Sequence, residues 1–245
     1  STTIVADLDG DKKPEIIYDS YPDGFTALHG KDCTVYFDKK FTFASSGQSQ
    51  LAVADLDADK VPEIIGVDST NHVIVMDNKG TILATSPTPA GNVGWGGPTI
   101  ADVDGKAPPE ILVGGQAVRY VKGQNQLDVL YTNSPKMPSI GPLSVVADLD
   151  GDKVPELITG VEIYNAATGV DKTPPNLVNN LGGAYPAIGD FNKDKKPDIV
   201  LVYPDGNTEA VAIYDYANKK FLFGPVTLPD TKGGPPTVAD FDGDG

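Results

Sequence analysis

The chain contains little of the chemistry on which disulfide-framed proteins and many enzymes depend, with one cysteine, one tryptophan and two histidines in 245 residues. A single cysteine, Cys33, excludes an intrachain disulfide framework, and we expect its side chain to be a small buried hydrophobe. No apolar run is long enough to cross a bilayer, and no secretory signal peptide is recognisable. The fold is therefore stabilised by means other than disulfides.

Motifs of enzyme chemistry are also scarce. The sequence has no Gly-x-Ser-x-Gly, His-Glu-x-x-His or phosphate-loop motif. We expect His29 and His72 to serve surface or packing roles. The abundant acids leave a glycosidase with paired carboxylates open, although most of the patterned acids are assigned below to metal binding. We therefore predict a protein that is not an enzyme, with a polysaccharide lyase or hydrolase as the open alternative.

Positive charge is scarce relative to negative charge. The 34 acidic residues outnumber the 19 basic ones, which gives a formal net charge of −15. That sign is wrong for binding nucleic acid or an anionic membrane surface, so we expect no nucleic acid partner and no membrane insertion. The acids recur in a regular pattern, and that pattern indicates metal ions before any other partner.

The pattern is clearest near the N-terminus, in the nine residues Asp7-Leu8-Asp9-Gly10-Asp11-Lys12-Lys13-Pro14-Glu15. Carboxylates stand at positions one, three, five and nine, and a glycine lies among them. Calcium takes six to eight oxygen ligands at about 2.3–2.6 Å, and alternate acids in a tight loop supply such oxygens compactly. We therefore interpret these nine residues as a calcium-binding loop.

The same loop recurs along the whole chain at intervals of 42 to 50 residues. We number its copies loop one to loop six, and their first residues are Asp7, Asp55, Asp102, Asp148, Asp190 and Asp240. Repetition with a period in this range is typical of β-propellers and solenoids. Loop six reaches Gly245 before its closing acid, so we expect the sixth copy to be cut short.

Each copy has the composition of a small antiparallel sheet. Alternating small and β-branched residues lead into the loop, as at 51–54, and a second apolar run leaves it, as at 63–65. Third and fourth runs follow through hairpin turns such as 77–80. No helical periodicity is visible, so we predict an all-β fold, a β-propeller of four-stranded antiparallel blades with five complete repeats. The copies begin near residues 1, 49, 96, 142, 184 and 234, and 1–245 is one propeller domain or a fragment of one.

With these features the chain resembles the FG-GAP/VCBS-like repeat family, which includes the integrin α-subunit propeller and many secreted bacterial proteins. The resemblance covers essentially the whole chain. It implies that side chains at loop positions one, three, five and nine, with the backbone carbonyl at position seven, bind calcium. The implied ligands are Asp7, Asp9, Asp11, Lys13 and Glu15 in loop one; Asp55, Asp57, Asp59, Val61 and Glu63 in loop two; Asp148, Asp150, Asp152, Val154 and Glu156 in loop four; Asp190, Asn192, Asp194, Lys196 and Asp198 in loop five; and Asp240, Asp242 and Asp244 in loop six.

Loop three, Asp102–Glu110, departs from the pattern because Lys106 stands at position five. A fixed positive charge lowers metal affinity there, and we expect its ammonium to replace the ion among the acids. We therefore predict a metal-free loop three and about four structural calcium ions in the complete loops. The neutral Asn192 of loop five is a weaker ligand than an acid.

Two other interpretations of the loop fit its sequence less well. An EF-hand or dockerin loop closes at position twelve and lies between helices, whereas this loop closes at position nine and precedes a β run. Acids that only make solvated turns would not keep the same spacing in six copies. Calcium held entirely by its own loop favours a structural role over a catalytic one.

These features predict an extracellular or cell-surface calcium-stabilised module for adhesion, scaffolding or surface assembly. Scarce cysteine suits a bacterial-type surface protein held by metal. Its partner would be a protein or glycan at the cell surface, with self-association through the open sixth repeat as a further option. The alternative is a carbohydrate-binding propeller, either a lectin or the non-catalytic part of a polysaccharide-active enzyme. Trp95 would then stack on a sugar ring, but the role that we expect for it is to fill a gap between adjacent blades.

Overall fold

The structure is a computed structural model that describes residues 3–20, 24–44, 50–91, 93–94, 96–135, 141–177, 183–204, 209–229, 233–241 and 243. Every element with described bounds in these segments is a β-strand, which confirms the predicted all-β class. The chain divides into two compact units, residues 1–132 and 133–245. None of the described segments forms an apolar helix of membrane-spanning length.

The first unit contains three four-stranded antiparallel sheets, each built from consecutive strands. Sheet one consists of β1 (Thr3–Ala6), β2 (Glu15–Ser20), β3 (Gly24–His29) and β4 (Val35–Lys40). Sheet two consists of β5 (Ala52–Ala54), β6 (Glu63–Val67), β7 (Val73–Met76) and β8 (Ile82–Thr85). Sheet three consists of β9 (Thr99–Ala101), β10 (Glu110–Val113), β11 (Gln116–Arg119) and β12 (Asp128–Thr132).

The second unit contains two more antiparallel sheets. Sheet four consists of β13 (Val145–Ala147), β14 (Glu156–Thr159) and β15 (Glu162–Asn165). Sheet five consists of β16 (Tyr185–Gly189), β17 (Asp198–Tyr203), β18 (Ala210–Asp215) and β19 (Lys220–Thr227). Four of the five sheets therefore have the four antiparallel strands that the sequence predicts.

Sheet four differs from the prediction because it has three strands among the residues described. The segment after its hairpin makes one isolated bridge, from Asp171 to Tyr164, where a fourth strand was expected. Pro174 and Pro175 follow closely, and proline has no N–H to donate to a ladder. The short segment before these prolines therefore ends its pairing after one bridge.

In all five sheets the acidic loop joins the first strand to the second. The residue just before the loop lies opposite the closing acid of the same loop. The pairs are Ala6–Glu15, Ala54–Glu63, Ala101–Glu110, Ala147–Glu156 and Gly189–Asp198. Each loop is therefore a hairpin connection whose two ends are held together by the sheet.

Burial ties the loops to the core. The strands that leave loops two to five are buried along their whole length, in keeping with their continuous apolar sequence. The residue at loop position two also points inward in loops one, two and four, where Leu8, Leu56 and Leu149 are fully buried. A leucine flanked by two aspartates thus anchors each of these loops, because burying it removes apolar surface from water.

Two expectations outside the loops fail. Cys33 is exposed rather than buried, because it lies in the turn between β3 and β4 with a φ of 58°. Residues 236–239, expected as the first strand of the sixth copy, form no ladder with the strands that the structure describes.

Candidate metal centres

The loop carboxylates converge. In loops one to four, one carboxylate oxygen from each of positions one, three and nine lies within 4.8 Å of the other two. The groups are Asp7, Asp9 and Glu15; Asp55, Asp57 and Glu63; Asp102, Asp104 and Glu110; and Asp148, Asp150 and Glu156. The structure thus brings together the predicted ligands at these positions, and loop three has the same convergence of acids.

Backbone hydrogen bonds shape each loop around its first acid. In loop one, the carboxylate of Asp7 accepts hydrogen bonds of 2.8 Å from the N–H groups of Gly10 and Lys12. Gly10 has a φ of +79°, which glycine adopts without the steric penalty of a Cβ. The bond from position six to the first acid recurs in loops two, four and five.

The closing acid points into the protein. Its carboxylate accepts a hydrogen bond from the backbone N–H at loop position two, at 2.8 to 3.0 Å in all five loops. These acids are at most 5% exposed. They are Glu15, Glu63, Glu110, Glu156 and Asp198. The inner wall of each site is therefore a buried carboxylate tied to the loop backbone.

The acids at position five occupy a different place. Asp11, Asp59 and Asp152 are absent from the converging groups of the described loops. Each accepts a hydrogen bond from the backbone N–H of position seven, at 2.7 to 2.8 Å. One carboxylate oxygen of each position-five acid therefore caps the end of its loop. The N–H groups that it binds belong to the residues predicted to supply carbonyl ligands, which are Lys13, Val61 and Val154.

Loop two carries a buried acid without a cation beside it in the described contacts. Burial raises the pKa of Glu63 to about 7, against the hydrogen bond from Leu56, and the neighbouring Asp57 raises it further. Lys122, in the hairpin between β11 and β12, instead contacts Asp57 at 3.0 Å and Asp59 at 2.6 Å. Its side chain is 61% exposed. A largely exposed lysine therefore contacts Asp57 and Asp59, and among the described residues no cation contacts Glu63.

Loop three contains a cation that the sequence analysis missed. The guanidinium of Arg119 donates to Glu110 through Nε at 2.9 Å and Nη2 at 2.5 Å, and Nη2 also lies 2.8 Å from Asp104 Oδ2. The hydrogen bond to Glu110 raises the pKa of Arg119, and Arg119 lowers that of Asp104 against the effect of burial. Lys106 was the residue expected there, but its ammonium is 80% exposed and lies 3.6 Å from Asp104.

Loop four also holds a cation. Lys172 Nζ lies 2.5 Å from Glu156, 3.5 Å from Asp150 and 3.9 Å from Asp152. The hydrogen bond with Glu156 raises the pKa of Lys172. Burial raises the pKa of Glu156, and Lys172 opposes that shift. Lys172 lies in the segment that replaces the missing fourth strand, on a flexible four-carbon side chain.

The closing acids of loops one and five contact neither an arginine nor a lysine among the described residues, unlike those of loops three and four. In loop one, His29 Nδ1 lies 3.3 Å from Glu15 Oε1. In loop five, the amide of Asn192 donates to Asp215 at 3.2 Å. Burial raises the pKa of Asp198, and the nearby Asp215 adds to the shift. Loop five has two neighbouring buried acids where loop three has an arginine.

Some predicted ligands lie outside the converging groups, and other predicted residues lie outside the part of the chain that the structure describes. Asp194 of loop five accepts a hydrogen bond of 2.9 Å from the backbone N–H of Lys196, as in the other loops. Asp240 accepts one of 2.7 Å from the backbone N–H of Gly243, which matches the first turn of loops one and four. Asp242, Asp244 and Trp95 lie outside the described residues.

The donor sets suit a hard divalent cation in most loops. Carboxylate and carbonyl oxygens are the ligands that calcium prefers, and acids crowded within 4.8 Å repel one another without a cation. Loops one and two fit this requirement, and loop four fits it once Lys172 moves aside. The acids of loop five, Asp190, Asp194 and Asp198, form no converging group among the described residues, and Asn192 stands at its position three. Loop three does not fit, because the guanidinium of Arg119 already occupies the space between Asp104 and Glu110.

Comparison with solved structures identifies proteins of similar fold. The V. cholerae biofilm matrix protein Bap1 aligns with a TM-score of 0.76 and 20% identity, over 96% of this chain and 40% of Bap1. The Bacillus licheniformis rhamnogalacturonan lyase PL11 aligns with a TM-score of 0.62 and 19% identity, over 93% of this chain and 50% of the lyase. BamB from Moraxella catarrhalis aligns with a TM-score of 0.54 and 10% identity, over 94% of this chain and 64% of BamB. The chain thus spans half or less of the first two.

Sequence comparison gives a more limited result. No curated protein sequence matches the chain. Residues 190–245 match the model of the FG-GAP-like repeat, and this segment contains loop five, strands β17 to β19 of sheet five and the start of loop six. The resemblance predicted from the loop sequences is therefore confirmed, and the chain contains an FG-GAP-like repeat at 190–245.

Proposed function

We propose that this chain is a β-propeller-type repeat module of an extracellular protein, stabilised by calcium in its acidic loops, that serves adhesion or matrix assembly and is not itself an enzyme. The observation that carries the proposal is the recurrence of three converging carboxylates at the same point of four successive sheets. Acids that merely solubilise a surface have no reason to converge in this way. A bound divalent cation would relieve their repulsion in loops one, two and four, and Arg119 supplies the positive charge in loop three.

The suggested role rests on the fold. The chain is similar over 96% of its length to Bap1, a biofilm matrix protein. It also contains the FG-GAP-like repeat, and its sheets are small, antiparallel and built in chain order like propeller blades. A propeller places its loops at the ends of the blades, where ions rigidify the connections without taking part in chemistry.

Binding measurements test the proposal. The purified chain should bind calcium with measurable stoichiometry in isothermal titration calorimetry, and it should adhere to a bacterial surface or extracted matrix more strongly with calcium than with a chelator. Asp7→Asn and Asp55→Asn should each remove one bound ion. No calcium binding at any loop would refute the metal part, and calcium binding without adhesion would refute the role.

A second candidate is a carbohydrate-binding module, which the likeness to the rhamnogalacturonan lyase favours. A glycan array probed with and without calcium would separate the two candidates. Saturable binding to a polysaccharide, lost in Trp95→Ala, would favour the carbohydrate module. Turnover of an acidic polysaccharide by the purified chain would instead identify an enzyme.

A further inference from the structure

The five complete loops do not have the same charge balance. Loops two and five each hold a buried closing acid with no cation in contact among the described residues, whereas the closing acid of loop three contacts a guanidinium. Around the closing acid all five loops are alike, with the same strand pairing at the two ends of the loop and the same hydrogen bond from the backbone N–H of position two. The difference therefore comes from the side chains that reach the loop from other parts of the sheet.

Arg119 is held where it is by the sheet. It is the last residue of β11, and the register that places Val118 opposite Ile111 brings Arg119 beside Glu110. The guanidinium reaches Glu110 with two nitrogens and Asp104 with one of them. Arginine is always charged and presents its donors in a rigid fork that matches carboxylates. It therefore supplies a fixed positive charge on the two innermost acids of the loop.

We infer that Arg119 is a built-in counter-ion that takes the place of calcium in loop three, so that the loop is closed by a side chain instead of an ion. This inference deepens the proposed function and rests on it, because it assumes that the sister loops bind calcium. Arg119, and not Lys106 as the sequence predicts, is then the residue that keeps loop three free of metal. Lys106 is largely exposed and its ammonium contacts Asp104 but not Glu110, so its removal leaves the guanidinium of Arg119 in place between these two acids.

The arrangement gives loop three a different property from its sister loops. Its connection stays closed when calcium is removed, because the neutralising charge is covalently attached. The loops that need an ion open or loosen under the same conditions. One blade of the module therefore keeps its loop order at low calcium, while its neighbours respond to the ion.

Counting bound ions tests the inference. Native mass spectrometry with calcium as the probe should give the same number of ions for the wild type, for Lys106→Ala and for Asp102→Asn. Asp102 is the matched control, because it belongs to loop three but makes no contact with Arg119 in the described structure. Asp55→Asn, the equivalent change in loop two, should lose one ion. Arg119→Gln should gain one, because it frees Asp104 and Glu110 and leaves a neutral side chain.

The possible outcomes distinguish a failure of the inference about Arg119 from a failure of the proposed function. A wild type without any bound calcium refutes the proposed function itself. A wild type that binds calcium but loses one ion in Asp102→Asn refutes the inference, as does a gain in Lys106→Ala or no gain in a folded Arg119→Gln. If Arg119→Gln is less stable than the wild type without calcium, its melting temperature should rise more with added calcium than that of the wild type. That result supports the inference, and an equal rise contradicts it.

Discussion

The backbone N–H of Leu56 donates a hydrogen bond of 2.8 Å to the carboxylate of Glu63, so the second residue of loop two is tied to the ninth. Both side chains are buried, Leu56 in the hydrophobic core and Glu63 beneath the outer acids. The loop thus has an apolar anchor and an acidic floor joined by one bond. Loops one and four repeat the arrangement with Leu8 and Leu149.

Removing the anchor should destabilise the module. Leu56→Ala deletes a fully buried side chain from the core of the first unit, and we expect a loss of about 2–5 kcal/mol in the free energy of unfolding. Urea denaturation in saturating calcium measures it. Ile82→Ala is the control, because Ile82 lies in the same sheet and is 47% exposed, and it should cost no more than about 0.5 kcal/mol. Equal losses would contradict the anchoring role.

Substitutions of Glu63, the buried acid of loop two, should separate the effect of its charge on stability from the effect of its hydrogen bond. Glu63→Gln keeps an acceptor for the Leu56 N–H and removes a charge that burial disfavours, with a pKa raised to about 7. A carboxyl group whose pKa is higher in the folded than in the unfolded protein lowers the free energy of unfolding as the pH rises above the unfolded-state pKa. Glu63→Gln should therefore be at least as stable as the wild type in chelator at pH 8. It should also lose the ion of loop two.

Glu63→Ala is the companion change and should behave differently. It leaves the buried N–H of Leu56 without an acceptor, which costs about 1–3 kcal/mol. Chemical denaturation in chelator compares the two variants. If both were equally unstable, the hydrogen bond would have no separate role.

Removing calcium should lower the melting temperature. Each independent site adds about 2.7 kcal/mol at a hundredfold excess of ion over its dissociation constant, so several sites together shift the transition by many degrees. Differential scanning calorimetry with calcium and with EGTA measures the shift. Asp7→Asn should show a smaller calcium-dependent shift than the wild type. A melting temperature independent of calcium would contradict the structural role of the ion.

Lys172 should weaken calcium binding at loop four. Its ammonium contacts Glu156 and lies near Asp150, so an entering ion must displace it. Lys172→Met should tighten calcium binding at that loop by about tenfold, which corresponds to about 1.4 kcal/mol. Titration calorimetry on a variant with the other loops disabled measures the affinity. Lys153→Met, which alters an exposed lysine of the same loop, should leave it unchanged.

Much of the site follows from local sequence. The acids at positions one, three and nine, the small residue before the loop and the apolar run after it are all within a short stretch of chain. The hydrogen bonds that shape the loop join residues two to seven positions apart, as between Leu8 and Glu15. The converging acids and the first two strands of each sheet were therefore predictable from spacing alone. The hydrogen bond from the backbone N–H of position seven to the acid at position five was not predicted.

The cations come from farther along the chain and follow no period. Lys122 reaches loop two from the hairpin of sheet three, 63 residues from Asp59, and Lys172 reaches Glu156 across 16 residues. Arg119 is nine residues beyond Glu110. One signal was available in advance, because Arg119 is the sole arginine in the chain and follows the one loop with a lysine at position five.

The nine-residue repeat and its apolar flanks were enough to specify an all-β chain of small sheets with an acidic loop after each first strand. Those features depend on alternation and turn chemistry, which act between near neighbours. Which loops need an ion was decided only by the packed structure, because strand register and hairpin position determine whether a cation such as Arg119 stands beside the buried acid.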